Sequence, residues 1–145
     1  MTDTQLDSSD RLARGEQARR EVLGDSHVDA SAARMTGFTR PIQEFVTGSC
    51  WGDVWGRPGL DRRTRSLLNL VMLTALNRPH ELALHVMGAT NNGVTLAEIQ
   101  EALLQTAVYC GVPAALEAFK VAEQTLGAET IATAGLGVDA VREAQ

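Results

Sequence analysis

The run LLNLVMLTAL at residues 67–76 constrains the fold more than any other feature of the chain. Wound as a helix it is apolar on every side, and such a helix is buried centrally or at a subunit contact. Asn69 and Thr74 interrupt it, and it is far too short to span a bilayer. Strand alternation is nearly absent around it, whereas helix start and stop signals recur along the chain.

Those signals divide the sequence into helices. Ser8, Ser9 or Asp10 caps a first helix that reaches about Leu23, where Gly24 stops it. A second helical stretch starts near Asp29, breaks around Gly37 and Pro41, and resumes through Ile42, Phe45 and Val46 towards Trp51 and Trp55. GRPG at 56–59 is a turn, and Asp61 caps the helix that carries the apolar run. Pro79 opens the next helix and Gly93 closes it. Thr95 and Glu98 form a capping box for a helix to about Tyr109. Gly111 and Pro113 reset the chain into a last helix ending near Leu126 and Gly127. The tail, 128–145, is rich in Ala, Gly and Thr and is expected to be weakly ordered or partner-dependent. The expectation is a single compact all-α domain over 1–145, of five to seven helices, with its core at about 10–126.

Charge narrows the function. The 13 basic and 18 acidic residues give a formal charge of −5, which disfavours a nucleic-acid partner. Twelve of the basic residues are arginines, whose forks suit carboxylates better than lysine does. Cys50 and Cys110 form no CxxC and no zinc knuckle, and are read as small buried hydrophobes. The polar, acidic MTDTQLDSSD resembles no signal peptide, so a reducing cytoplasm is the expected compartment, with no membrane partner.

Chemistry concentrates in NRPHELALHVMGATNNGVT, residues 77–95. His80 and His85 miss the HExxH zinc spacing by one residue, and about 140° of helix separates them, so no metal site is expected. Glu81 and His85 are four apart and share a face. A carboxylate one turn from an imidazole orients it, fixes its tautomer and raises its pKa, which makes a proton-transfer pair. Such a pair is commonly no more than a surface ion pair. The flanking Leu82, Leu84 and Val86 predict instead that this helix is largely buried.

Arg57, Arg62, Arg63 and Arg65 crowd one turn and the helix start after it, with Arg78 at the far end. Cations at a helix N-terminus oppose its dipole, which suggests a compensating anion from the protein or from a ligand. Four of the six aromatics (Phe38, Phe45, Trp51, Trp55) lie within eighteen residues. Such a stripe packs a core, or walls a water-poor pocket. Tyr109 is expected to be half buried.

Three blocks, WGDVWGRPGLDRRTRSL (51–67), NRPHELALHVMGATNNGVT (77–95) and AVYCGVPAALEAF (107–119), resemble the carboxymuconolactone decarboxylase family. The similarity covers about residues 10–126. It implies an all-helical fold shared with alkylhydroperoxidase D, whose reactive CxxC this chain lacks. It also implies cofactor-independent decarboxylation of γ-carboxymuconolactone to β-ketoadipate enol-lactone, a step of protocatechuate catabolism, by a homo-oligomer described for the family as a hexamer. On that resemblance His85 donates the proton and Glu81 orients it. At least one of Arg62, Arg65 and Arg78 contacts the substrate carboxylate, with Arg78 the favoured clamp and Arg65 a site-supporting residue, and His80, Trp51, Trp55 and Tyr109 line the site. The rival readings are a same-fold relative acting on another lactone or oxo-acid, a non-catalytic binding subunit, and a thiol-dependent peroxide reductant.

Overall fold

The computed structural model describes residues 8–144. Among them are nine α-helices and one π-helical segment, with no strand. They group into two compact units, one ending at Arg62 and the other beginning at Arg63.

In the N-terminal unit α1 (Ser8–Leu23) ends where expected, with Gly24 at φ 89°. A left-handed residue there costs glycine little and would strain a side chain. Helix α2 (Asp25–Ala33) then begins at once rather than near Asp29. Helix α3 (Arg40–Phe45) carries Pro41 in its first turn, where the missing N–H is not needed. It runs directly into the π-helical segment Val46–Trp55. That segment lies against α1 at near backbone contact. A Cβ on Gly52 would stand 2.6 Å from the Arg11 carbonyl oxygen, and one on Gly15 would collide with the Thr47 carbonyl. Trp51 and Trp55 stack at 4.8 Å and are buried against Ala18 and Val22. Phe38 and Phe45, by contrast, are exposed. Arg11 clamps the pair of elements through Nε to Asp53 Oδ1 at 3.1 Å and through its other arm to Asp53 and Ser49. The hydrogen bond from Arg11 holds the Asp53 carboxyl below its ordinary range.

The C-terminal unit is built from α4 (Arg62–Ala75), α5 (Pro79–Asn91), α6 (Leu96–Tyr109) and α7 (Val112–Leu126). Its core joins Leu70, Leu82, Val86, Ile99 and Leu103 to the alanine face of α7, Ala118 and Ala122. Small side chains on α7 let α5 and α6 approach it closely. Pro79 and the Thr95–Glu98 capping box fall at the helix starts the sequence predicts.

Four expectations need correction. Of the two placements expected for the apolar run, a central one and a subunit contact, the central one does not hold within one chain. Ser66, Leu70 and Thr74 form the inner stripe of α4, while Leu68, Met72 and Leu76 are 47%, 50% and 64% exposed. Tyr109 is 81% exposed, because α6 ends there and its buried stripe (Ile99, Leu103, Thr106) has run out. Cys50 and Cys110 are exposed too. Cys110 follows the last residue of α6, and Cys50 lies off the buried positions Gly48, Trp51, Gly52 and Trp55 of the π segment. The described part of the tail is helical, as α8 (Ala128–Thr133) and α9 (Val138–Glu143). Ile131 and Leu136 of the tail close a cavity of about 370 Å³ against α6 and α7. The helix count therefore exceeds the expected five to seven. No helix among the described residues is long and apolar enough to cross a membrane.

Candidate active site

Helix α5 is fixed at both ends by the same device. After α4, Asn77 takes the left-handed seat (φ 54°), with Arg78 N–H donating to the Leu73 carbonyl and Asn77 N–H to that of Thr74. After α5, Gly93 takes it (φ 83°), with Val94 and Gly93 donating to Ala89 and Thr90. These are Schellman closures, which satisfy the last carbonyls of a helix and reverse the chain sharply. The first of them lays α5 antiparallel to α4.

Polar contacts cross the α4–α5 seam. Asn92 Nδ2 donates to Ser66 Oγ at 2.9 Å. Asn69 Nδ2 meets His85 Nδ1 at 3.3 Å. The amide group both donates and accepts, so Asn69 can engage Nδ1 in either tautomer of the ring by turning its amide. Asn69 thus fixes the orientation of the ring through Nδ1. His85 itself is half-buried beside Leu82, Val86 and Ala89.

The remaining predicted residues fall in different places. Glu81 and His80 are exposed in the first turn of α5, so the expectation of a buried Glu–His pair is corrected. The bond at His85 Nδ1 comes from the neighbouring helix. Arg65 lies on α4 one turn before Asn69 and buries its Nε. Arg78 is exposed at the start of α5, and its guanidinium donates to the Leu76 and Asn77 carbonyls at 3.3 and 3.4 Å. Arg62 pairs with Glu21 and Arg63 with Glu98, so the protein itself supplies the anion for both. The hydrogen bond from Arg62 holds the Glu21 carboxyl below its usual range. Trp51 and Trp55 belong to the core of the N-terminal unit. No cluster of His, Cys, Asp and Glu among the described residues is arranged to hold a metal.

Sequence reasoning missed Asn69. The available signal was its polarity inside an apolar run, which marks a position facing something other than the core.

A family model described as the carboxymuconolactone decarboxylase family matches residues 40–124. The chain belongs to this family. Its fold is the all-α, alkylhydroperoxidase D-like one, as the helices here show. The chain is 49% identical to the nitrosuccinic acid decarboxylase of Metarhizium robertsii over 112 residues, 77% of this chain and 78% of that protein. It is 40% identical to the 4-carboxymuconolactone decarboxylase of Acinetobacter baylyi over 119 residues, 82% of this chain and 89% of that one. The family match spans α3 to most of α7, and so includes Arg65, Asn69 and His85.

Proposed function

We propose that this protein is a cofactor-independent carboxy-lyase that converts γ-carboxymuconolactone to β-ketoadipate enol-lactone. The observation that carries the reading is His85, held at Nδ1 by Asn69, inside the family's matched region. On this reading the reaction belongs to protocatechuate catabolism in the cytoplasm.

The substrate supplies its own electron sink. Its departing carboxylate sits on the γ carbon, conjugated through a C=C bond to the lactone carbonyl. The C–CO₂ bond breaks, and its electron pair flows into that carbonyl as a dienolate. A proton then adds to the α carbon, which leaves the new C=C bond between the β and γ carbons. The protein has to hold the retained carboxylate, stabilise charge on the lactone oxygen and deliver one proton. His85 is the donor as an imidazolium: its Nε2 proton goes to the α carbon, and the ring returns to neutral with its remaining proton on Nδ1. The Asn69 amide, turned to present its oxygen, accepts from Nδ1–H as the positioning residue. Arg65, one turn from Asn69 on α4, takes the clamp role ahead of Arg78, which is exposed at the start of α5.

The higher identity to a nitrosuccinic acid decarboxylase favours a second reading. Nitrosuccinate also keeps one carboxylate and loses the other from a carbon bearing an electron sink. There the pair flows into the nitro group as a nitronate, and the proton adds to the same carbon. The same three tasks result. The test is kcat/KM for CO₂ release from both acids in parallel. A preference for the lactone supports the first reading, a preference for nitrosuccinate supports the second, and no release from either removes both.

Two further outcomes follow from this reading. Arg65→Gln should raise KM at least tenfold, a loss of about 1.4 kcal/mol of binding, while Arg78→Gln leaves KM near wild type and lowers the melting temperature slightly. Asn69→Leu should lower kcat about tenfold or more with little change in KM, because an unanchored imidazole spends less time aligned. We also propose that the active form is a homo-oligomer that covers the outer face of α4. Sedimentation at micromolar concentration should give a species well above 15.5 kDa, and a fully active monomer would remove this part of the account.

A further inference from the structure

The N-terminal unit holds a cavity that the proposed reaction does not use. Its volume is about 230 Å³. That is room for about seven waters at ~30 Å³ each, or for a small organic acid. Leu12, Val28 and Met35 give it an apolar wall. Arg19, Ser31 and Gln43 give it a polar one.

Arg19 differs from its neighbours on α1. Arg11 is paired with Asp53, and Arg20 with Glu16, Asp25 and Asp29. Arg19 instead donates to two neutral oxygens, Gln43 Oε1 at 3.2 Å and Ser31 Oγ at 3.3 Å. Its Nε is buried and has no hydrogen-bond partner. No carboxylate among the described residues forms an ion pair with it. Burial pushes its pKa down. A guanidinium nonetheless remains charged at any ordinary pH. A half-buried cation without a counter-charge is unfavourable, and an anion delivered from outside corrects it.

Two acidic residues also line the cavity. Glu16 is engaged by Arg20 at 3.0 Å, and Glu44 is exposed. They leave room for one negative charge at Arg19 and oppose a second. We propose that this cavity binds a short-chain aliphatic monocarboxylate, with its carboxylate on the Arg19 fork and its chain against Leu12, Val28 and Met35. A guanidinium fork matches a carboxylate at two points. This site is independent of the catalytic reading.

The test uses the full-length ¹⁵N-labelled protein and butanoate, with the Arg19 Nε–H resonance as the reporter. Butanoate should shift it saturably with Kd on the order of 1 mM, and succinate should bind about tenfold more weakly or worse. Ala32→Leu, which narrows the cavity from an exposed position on α2, should weaken butanoate at least tenfold and leave the free spectrum of α1 in place. His85→Ala should bind butanoate as wild type does. An unsaturated response up to about 100 mM would overturn the proposal. So would equal binding by Ala32→Leu, or succinate binding as tightly as butanoate. A shift produced by concentrating the protein alone, with no further effect of butanoate, would assign the anion to a second copy and overturn it as well.

Discussion

His85→Ala is expected to fold normally and to lose turnover by 10²–10⁴-fold, the range a positioned general acid contributes. The side chain lies half-buried at the α4–α5 seam, and the partner of its Nδ1, Asn69, is itself only partly covered. Removing the imidazole therefore leaves the buried stripe of α5 (Leu82, Val86, Ala89) untouched. The helical circular dichroism and the melting temperature should change little. The loss should appear in kcat, because protonation belongs to the transition state rather than to binding. A variant within a factor of about three of wild type would remove His85 as the donor, since that loss is too small for the role.

Gly15→Ala is the substitution expected to damage the fold most. The new methyl would collide with the Thr47 carbonyl oxygen and stand 2.8 Å from its carbon and 3.0 Å from Gly52 N. All three atoms are backbone, so no rotamer change relieves the clash. Helix α1 and the π segment must separate, which also loosens the Arg11–Asp53 clamp and the burial of Trp51 and Trp55. Overpacking of this kind costs about 3 kcal/mol. For a chain of this size that lowers the melting temperature on the order of 10 °C. Gly48→Ala is the matched control. Its Cβ would meet only the Leu12 side chain, at an ordinary 3.7 Å. It should be neutral or stabilising by up to ~1 kcal/mol through reduced chain entropy. Equal melting temperatures for the two variants would show that the close approach is not what joins these elements.

The helix boundaries were legible because their signals are local. Gly24, Pro79, Gly93 and the Thr95–Glu98 box each act within a few residues of themselves. The π segment was not legible, since a change from i→i+4 to i→i+5 bonding leaves no distinct pattern in side-chain type. Its trace is the spacing of Gly48, Gly52 and Gly56, which marks close packing but does not name the helix type. The site was half legible for the same reason. His85 stands out by its chemistry, and Glu81 is its obvious partner along one helix. The contact at Nδ1 comes from Asn69, sixteen residues away on the adjoining helix, and spacing cannot reveal a contact made by docking. The arginine cluster was legible to the point of needing a compensating anion, but its source was not. Crowding at the start of α4 left the protein and a ligand both open as that source, and Glu21 and Glu98 answer Arg62 and Arg63. Tyr109 and Cys110 were misplaced because a stripe read by period does not show where its helix stops covering them.

The central claim is that a protein-borne proton from His85 completes a decarboxylation. Its most direct test is to run γ-carboxymuconolactone in D₂O and examine the enol-lactone at once by NMR. The account predicts release of one CO₂ per lactone consumed and one deuteron on a single face of the α carbon. No CO₂ release, or deuterium spread equally over both faces, would contradict it.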